Sequence, residues 1–367
     1  MLHLTFLGTS AGVPTKSRNV TGLAIECLNP FGSAGHQPSR KNKPWILVDC
    51  GEATQHQLLK TNISSHQLAV ICITHVHGDH CYGLPGMLAS MAMSGRKQPL
   101  TLIAPQAIES FLKVLKQTTQ LYLPFEINFV AIEQLLASKP NLDAEADSSL
   151  ETENRPATVS LDLSATHQLD IEAIKLSHRV DSYGFRLTQT LQTIKLDIDK
   201  LKEQGIEPTE AWGKLQAGQD VTLEDGRQLK SLDYTHRQVQ KLSIVVAGDN
   251  DTPQLLSEAV QGASVLIHEA TYTQAVLDKI MARPDAFDPM HTPAQRIANF
   301  AQSVNLSNLI LTHFSARYQP YDDPESKTPN MADIRLEVER YYQGKLWLAR
   351  DFMRFEISDK GVRQLPS

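Results

Sequence analysis

Five apolar runs, far apart in a chain of 367 residues, each stop at a residue able to bind a metal ion or carry a proton. AVICIT runs into His75, His77, Asp79 and His80, and IEAIKLS into His178. LSIVVAG is followed by Asp249, SVLI by His268 and Glu269, and LILT by His313. Each run has the length of a buried strand. Between several of them lie helical stretches such as PGMLASMAMSG and QAIESFLKVLKQT. Strands alternating with helices mean an α/β architecture. If the strands share sheets and direction, their carboxyl ends fall along one edge, and the polar residues that follow them meet there. Few folds satisfy that requirement.

The ligand types then suggest a chemistry. Three histidines and an aspartate at H-x-H-x-D-H spacing, His75 to His80, have little structural reason to coexist. A lone histidine after a strand is ordinarily solvated or hydrogen-bonded, so His178 and His313 gain their meaning from that cluster. His3, His36, His56, His66, His167 and His236 lack strand-end context and are read as structural. Neutral imidazoles with carboxylates suit Zn²⁺, and also Mn²⁺ or Fe²⁺. Seven candidate ligands exceed the needs of one zinc, so two ions are expected, with Asp249 as the natural bridge. Two cations roughly 3.5–4 Å apart stabilise both attacking and leaving oxygens of a displacement. The expected reaction is hydrolysis of a phosphodiester or related ester.

Composition narrows the partners. The net charge of −6 provides no global basic field for nucleic acid, so a polyanion would be held by local patches and bound cations. Cys27, Cys50, Cys72 and Cys81 form no CxxC pair and sit beside apolar runs, as reduced buried thiols do. The first residues carry no signal-peptide pattern. No window approaches the ~18 continuous apolar residues of a membrane span. A cytoplasmic protein with no membrane partner is expected.

Three segments read as surface additions. NPFGSAGHQPSRKNKP has the composition of a hairpin loop. Residues of about 136–160 are polar and acidic without a sustained period, which marks a loop. Residues of about 188–239 contain a short amphipathic helix, IDKLKEQG, closed by Gly205, and a hairpin around EDGRQ. They read as a projecting arm rather than an independent core.

The motif HVHGDH resembles the signature of the metallo-β-lactamase superfamily. Within it, the chain looks like the ribonuclease Z family of tRNA 3′-processing endonucleases. FLGTSAGVPTKSRN, LVDCGEATQHQL, LSHRVDSYGFRL, GDN, HEATY, MHTPAQ and LTHFSARY resemble successive motifs of that family and span most of the chain. The resemblance implies a single domain over residues 1–367, an αββα four-layer sandwich with an inserted arm. It implies that His75, His77 and His178 hold one zinc, that Asp79, His80 and His313 hold the other, and that Asp249 lies between them. Asp79 would also accept a proton from the attacking water. His268 would be the general acid for the leaving 3′ oxygen. His291, Ser315 and Arg317 would contact the substrate phosphate.

The implied substrate is precursor tRNA, cut after the discriminator nucleotide to leave a 3′ hydroxyl, and the implied assembly is a homodimer. Three features depart from the family pattern. Asn250 replaces the threonine of GDT, EPTEAW thins a Gly-Pro-rich tip, and the arm is not basic. There Lys195, Lys200, Lys202, Lys214, Arg227 and Lys230 face Asp197, Asp199, Glu203, Glu207, Glu210, Asp220, Glu224 and Asp225. The alternative reading is a phosphodiesterase of the same superfamily acting on small or cyclic phosphodiesters, which needs every metal residue but no arm. A degenerate scaffold without activity is the third reading, and the complete ligand set argues against it.

Overall fold

The computed structural model describes residues 1–30, 43–137 and 158–366. Most of the NPFGSAGHQPSRKNKP loop and most of the 136–160 insertion lie outside the described residues. The stated limits of that insertion nevertheless fall inside regular elements, the helix Ile132–Ala137 and the strand Thr158–Ser164.

Two large sheets form the centre of the molecule. The eight-stranded sheet runs in the order Gly361–Leu365, Arg354–Ser358, Leu2–Gly8, Gly22–Cys27, Trp45–Val48, Leu68–Cys72, Leu100–Ala104, Ile127–Ala131. It is antiparallel as far as Trp45–Val48 and parallel beyond it. The seven-stranded sheet runs Lys345–Leu348, Asn308–Thr312, Leu266–Glu269, Thr235–Val246, Ser182–Leu196, His167–Leu176, Thr158–Ser164.

The near-continuous apolar runs follow from burial on both faces. In the strand Trp45–Val48, Ile46 and Val48 enter the core between the sheets, while Trp45 and Leu47 enter the core outside. The inter-sheet core joins Leu4, Ile25 and Val70 of one sheet to Phe185, Ile244 and Ile310 of the other. Outside the first sheet, the helix Leu84–Met93 buries Leu84, Met87, Leu88 and Met91. Outside the second, the helices Ala294–Ser303 and Met331–Glu339 bury Ile297, Phe300, Ile334 and Val338. The layers therefore run αββα, as the motifs implied. All four cysteines are free and buried.

Strand direction decides where the site lies. In the second sheet Thr235–Val246, Leu266–Glu269 and Asn308–Thr312 are parallel. Ser182–Leu196 is antiparallel to both Thr235–Val246 and His167–Leu176, so these two also run the same way. Four carboxyl ends thus share one edge. The first sheet is stitched to that edge by Tyr183 N–H donating to Thr74 O at 3.0 Å.

At the opposite end, Ser182–Leu196 and Thr235–Val246 remain paired out to Leu196 and Thr235. The residues between them fold as the helices Ile198–Glu203 and Glu210–Gln216 and a hairpin pairing Val221–Thr222 with Gln228–Leu229. This tip has a small core of its own, Leu201, Ile206, Leu215, Leu229 and Tyr234, which replaces the expectation of an arm without one. The second helix was not anticipated. Thr209 caps it by accepting from Ala211 N, and Leu215 on its inner face closes the small core.

Candidate metal centre

The turn after Leu68–Cys72 brings in the first ligand candidates. The short helix Gly78–Cys81 then turns Asp79 and His80 back beneath His75. The other candidates come from the carboxyl ends of the second sheet. Gly248 is needed for their approach: a Cβ there would lie 2.6 Å from Thr74 Cβ and 2.7 Å from Tyr183 O. Only glycine lets the chain pass that close and deliver Asp249 to the histidines.

The predicted ligands form two sets of donor atoms that share one carboxylate, and a third group, Asp249, Glu269, His291 and His313, overlaps them. In the first, His77 Nδ1 lies 3.1 Å from His75 Nε2 and 3.2 Å from His178 Nε2. Asp249 Oδ2 lies 3.6 Å from His75 Nε2 and 3.8 Å from His178 Nε2. In the second, His80 Nε2 and His313 Nε2 are 3.3 Å apart. Asp79 Oδ2 is 3.5 and 3.4 Å from them, and Asp249 Oδ1 likewise 3.5 and 3.4 Å. A tetrahedral zinc with bonds of ~2.0–2.1 Å spaces its ligands about 3.3 Å apart. The donor set therefore fits two such ions, and each oxygen of Asp249 faces a different set.

The outer nitrogens are held in place. His178 Nδ1 donates to Met290 O at 2.8 Å and His80 Nδ1 to Asp49 Oδ2 at 2.7 Å. His75 Nδ1 and His313 Nδ1 each lie 3.0 Å from a threonine hydroxyl, those of Thr74 and Thr271. A proton on the outer nitrogen leaves the inner one free to coordinate. Asp49, Met290 and His313 all have left-handed backbones, with φ of 59°, 54° and 58°. Such strain persists where surrounding contacts over-determine it.

Electrostatics agree with this fit. Burial, then the neighbouring imidazoles, hold His75 well below its ordinary pKa. Burial also opposes charge on His80 and His313, but carboxylates win: Asp249, Asp49 and Asp79 raise His80 well above its usual value, and Asp249, Asp79 and Glu269 push His313 up to about 10. Against burial, His80 and His313 hold the Asp79 carboxyl far below the usual range. The cluster concentrates negative charge that either protons or metal cations would neutralise.

The remaining candidates divide. His291 sits at the cluster with its ring centroid 5.0 Å from that of His178 and 5.3 Å from that of His313. Its Nδ1 meets Glu269 Oε2 at 3.0 Å and Asp249 Oδ2 at 3.6 Å, and its side chain is 16% exposed. Ser315 follows His313 in the short strand Phe314–Ser315, which pairs with Ser10–Ala11. The exposed Arg317 donates through Nε to Ser315 Oγ at 3.2 Å.

His268, expected to be the general acid, is misplaced for that work. It is fully buried, with Nδ1 on Glu269 O at 2.8 Å and Nε2 3.3 Å from Asn250 Nδ2. Burial, above all, depresses its pKa. Along a strand, neighbours point to opposite sides. Glu269 therefore takes the side facing the cluster, where it bonds His291, Thr271 and Asn250 N. That alternation was the available signal. Gly12 adds a backbone contact to the cluster. With φ of 69°, it turns its N–H onto Asp79 Oδ2 at 2.7 Å.

Comparison with known proteins places this geometry in a family. A family model described as anti-Pycsar protein Apyc1 matches residues 39–192. Ribonuclease Z of Marinobacter nauticus is 42% identical over 356 residues, covering 97% of this chain and 96% of its own. Ribonuclease Z of Pseudomonas putida is 40% identical over 361 residues, with 98% of each chain covered. Among solved structures, human tRNase Z, short form, aligns with 97% of this chain and 99% of its own, at a TM-score of 0.56 and 23% identity. The metallo-β-lactamase fold protein YhfI of Bacillus subtilis aligns with 96% and 98%, at 0.55 and 15%. At these identities the solved structures speak for the fold alone. The close sequence relatives, matched end to end, show that this chain belongs to the ribonuclease Z family.

Proposed function

We propose that the chain is a two-zinc endoribonuclease that removes the 3′ trailer from tRNA precursors. The observation that carries this reading is the pair of donor sets, each with tetrahedral spacing, sharing Asp249. His75, His77 and His178 would hold one ion, and Asp79, His80 and His313 the other. When bound, the ions supply a concentrated positive charge that acidifies water and stabilises charge developing on the phosphoryl oxygens. Relatives carrying the name ribonuclease Z support the substrate class. In this reading residues 1–367 are one catalytic domain, with an arm at about 188–239 and a polar insertion at about 136–160.

The chain's own residues then have distinct tasks. Asp79, oriented by Gly12 N–H, accepts a proton from the attacking water. The general acid moves from His268 to His291. Glu269 holds the Nδ1–H of His291, and the other nitrogen is free to give a proton to the leaving 3′ oxygen. Phosphorus gains the water oxygen and loses the 3′ oxygen. The products are a tRNA 3′ hydroxyl and a trailer 5′ phosphate. Ser315 and Arg317 hold phosphate beside His313.

The alternative, a phosphodiesterase for small or cyclic diesters, uses the same cluster. It needs every residue of the cluster but no arm. Cleavage of one defined precursor tRNA, with both product ends mapped, decides between them when run beside bis(p-nitrophenyl) phosphate. Endonucleolytic cleavage at the discriminator is expected. Hydrolysis of the small diester alone would overturn the proposal.

A further inference from the structure

The rim of the cluster carries an aromatic side chain that the chemistry above does not use. Phe287 is 64% exposed and belongs to none of the apolar cores among the described residues. The segment that follows it is anchored to the cluster. Asp288 Oδ1 accepts from Met290 N at 2.8 Å, and Met290 O takes the Nδ1–H of His178. The turn that presents Phe287 is thus tied directly to a candidate ligand. Arg179, next to His178 in sequence, lays its guanidinium 5.3 Å from the Phe287 ring centroid. It is exposed, has no carboxylate partner among the described residues, and its charge is felt at His77.

An exposed ring and a planar cation side by side at the rim of a proposed phosphodiester-cleaving centre make a recognisable combination. Single-stranded RNA is held by stacking unpaired bases on aromatic rings and guanidinium planes, with cations on the intervening phosphates. Resting on the proposed endoribonuclease reading, we propose that Phe287 and Arg179 form a shelf for an unpaired nucleotide flanking the scissile bond. The Phe287 ring stacks its base, and Arg179 pairs with its phosphate. The shelf fixes the register of the strand over the metal centre and takes no part in bond breaking.

The test compares wild type, Phe287→Ala, Phe287→Tyr and Arg179→Ala on precursor tRNAs with either a normal or an abasic nucleotide on each side of the cleavage site. For Phe287→Ala, a roughly tenfold rise in KM is expected on the normal precursor, the order of one stacked base. On the matching abasic precursor, wild type and variant should agree within about twofold, and Phe287→Tyr should regain most of the loss. Arg179→Ala should lower the salt slope of kcat/KM by about one. Tyr122→Ala, an exposed aromatic elsewhere, serves as the surface control. Equal losses on normal and abasic substrates, or no loss on either, overturn the shelf. If wild type cleaves no precursor, the parent reading fails, and the shelf is judged by anisotropy with a labelled unpaired oligoribonucleotide. Equal affinity of wild type and Phe287→Ala would then sink it independently.

Discussion

The paired strands Ser182–Leu196 and Thr235–Val246 have two very different ends. At one, the chain leaves Val246 for Asp249 and the buried cluster. At the other, it leaves Leu196 and returns at Thr235 through the arm. The twelve residues of Thr235–Val246 separate these ends by roughly 35–40 Å. Charge is handled oppositely at each. At the cluster, carboxylates and imidazoles are buried and aimed at common points, with neighbours raising or depressing their pKa values strongly. At the arm, Lys214 pairs with Glu210 at 3.1 Å and Arg227 with Asp225 at 2.7 Å, all of them exposed. Exposed pairs of this kind contribute little, because water screens both charges. In the proposed reading one end serves chemistry and the other contact, so changes at the two should separate in kcat and KM.

The largest effect is expected at the carboxylate shared by both donor sets. Asp249→Ala should lower metal content and cut precursor cleavage by more than the roughly hundredfold typical of outer-sphere changes. Elemental analysis beside single-turnover cleavage measures both, and a wild-type rate would refute the shared role. Next comes His291→Ala. Loss of a general acid should lower kcat by roughly 10²–10⁴-fold with metal retained. Loss of one metal equivalent would instead make His291 a ligand, through its place beside Asp249, Glu269 and His313. His268→Ala is the contrast: a lower melting temperature from an emptied buried site, with kcat little changed.

That contrast also shows what could be read before the structure. The candidate ligands were legible because they follow apolar runs, while a shared strand direction was a condition that the sequence left open. The proposed exchange of roles between His268 and His291 was not read, since it depends on which side of Leu266–Glu269 faces the cluster. Asp49 and Met290 were invisible for another reason. Asp49 acts one step out, its carboxylate accepting from His80 rather than meeting the common point of the donors, and Met290 acts only through its carbonyl. The core of the arm was missed because Leu201, Leu215 and Leu229 come from three short elements. Only the first of these was read as amphipathic, and the other two are too short to show a period of their own.

A smaller and more selective effect is expected at the arm. Asp197 N bonds Tyr234 O at 2.8 Å, so replacing residues 198–233 with a short Gly-Ser turn leaves the strand pair closed. Precursor KM should rise by roughly tenfold or more as phosphate contacts are lost. Turnover of bis(p-nitrophenyl) phosphate should stay within about twofold, because the cluster lies at the far end of the strands. Parallel losses on both substrates would mean that the two ends are mechanically coupled, and the comparison would break.

The smallest effect isolates what burial alone does to an imidazole at the arm end of the same sheet. His167 opposes Leu191 in the strand register and is 4% exposed. Its Nε2 accepts from Gln189 Nε2 at 2.6 Å, and Gln189 Oε1 accepts from the Met1 ammonium at 2.9 Å. No carboxylate offsets burial here, so burial first, and the Met1 charge after it, lower its pKa to about 4. The unfolded chain, with an ordinary histidine near 6.5, therefore takes up this proton first as pH falls. Stability from a neutral His167 is fully present above about pH 6.5 and lost as pH falls toward 4, to a limit of about 3 kcal/mol. In urea titrations at pH 7.5 and 4.5, His167→Gln should lose less stability on acidification than wild type, by up to that amount. Equal losses would show that an imidazole can be buried at this end without the cost, and that carboxylates are not what distinguishes the cluster.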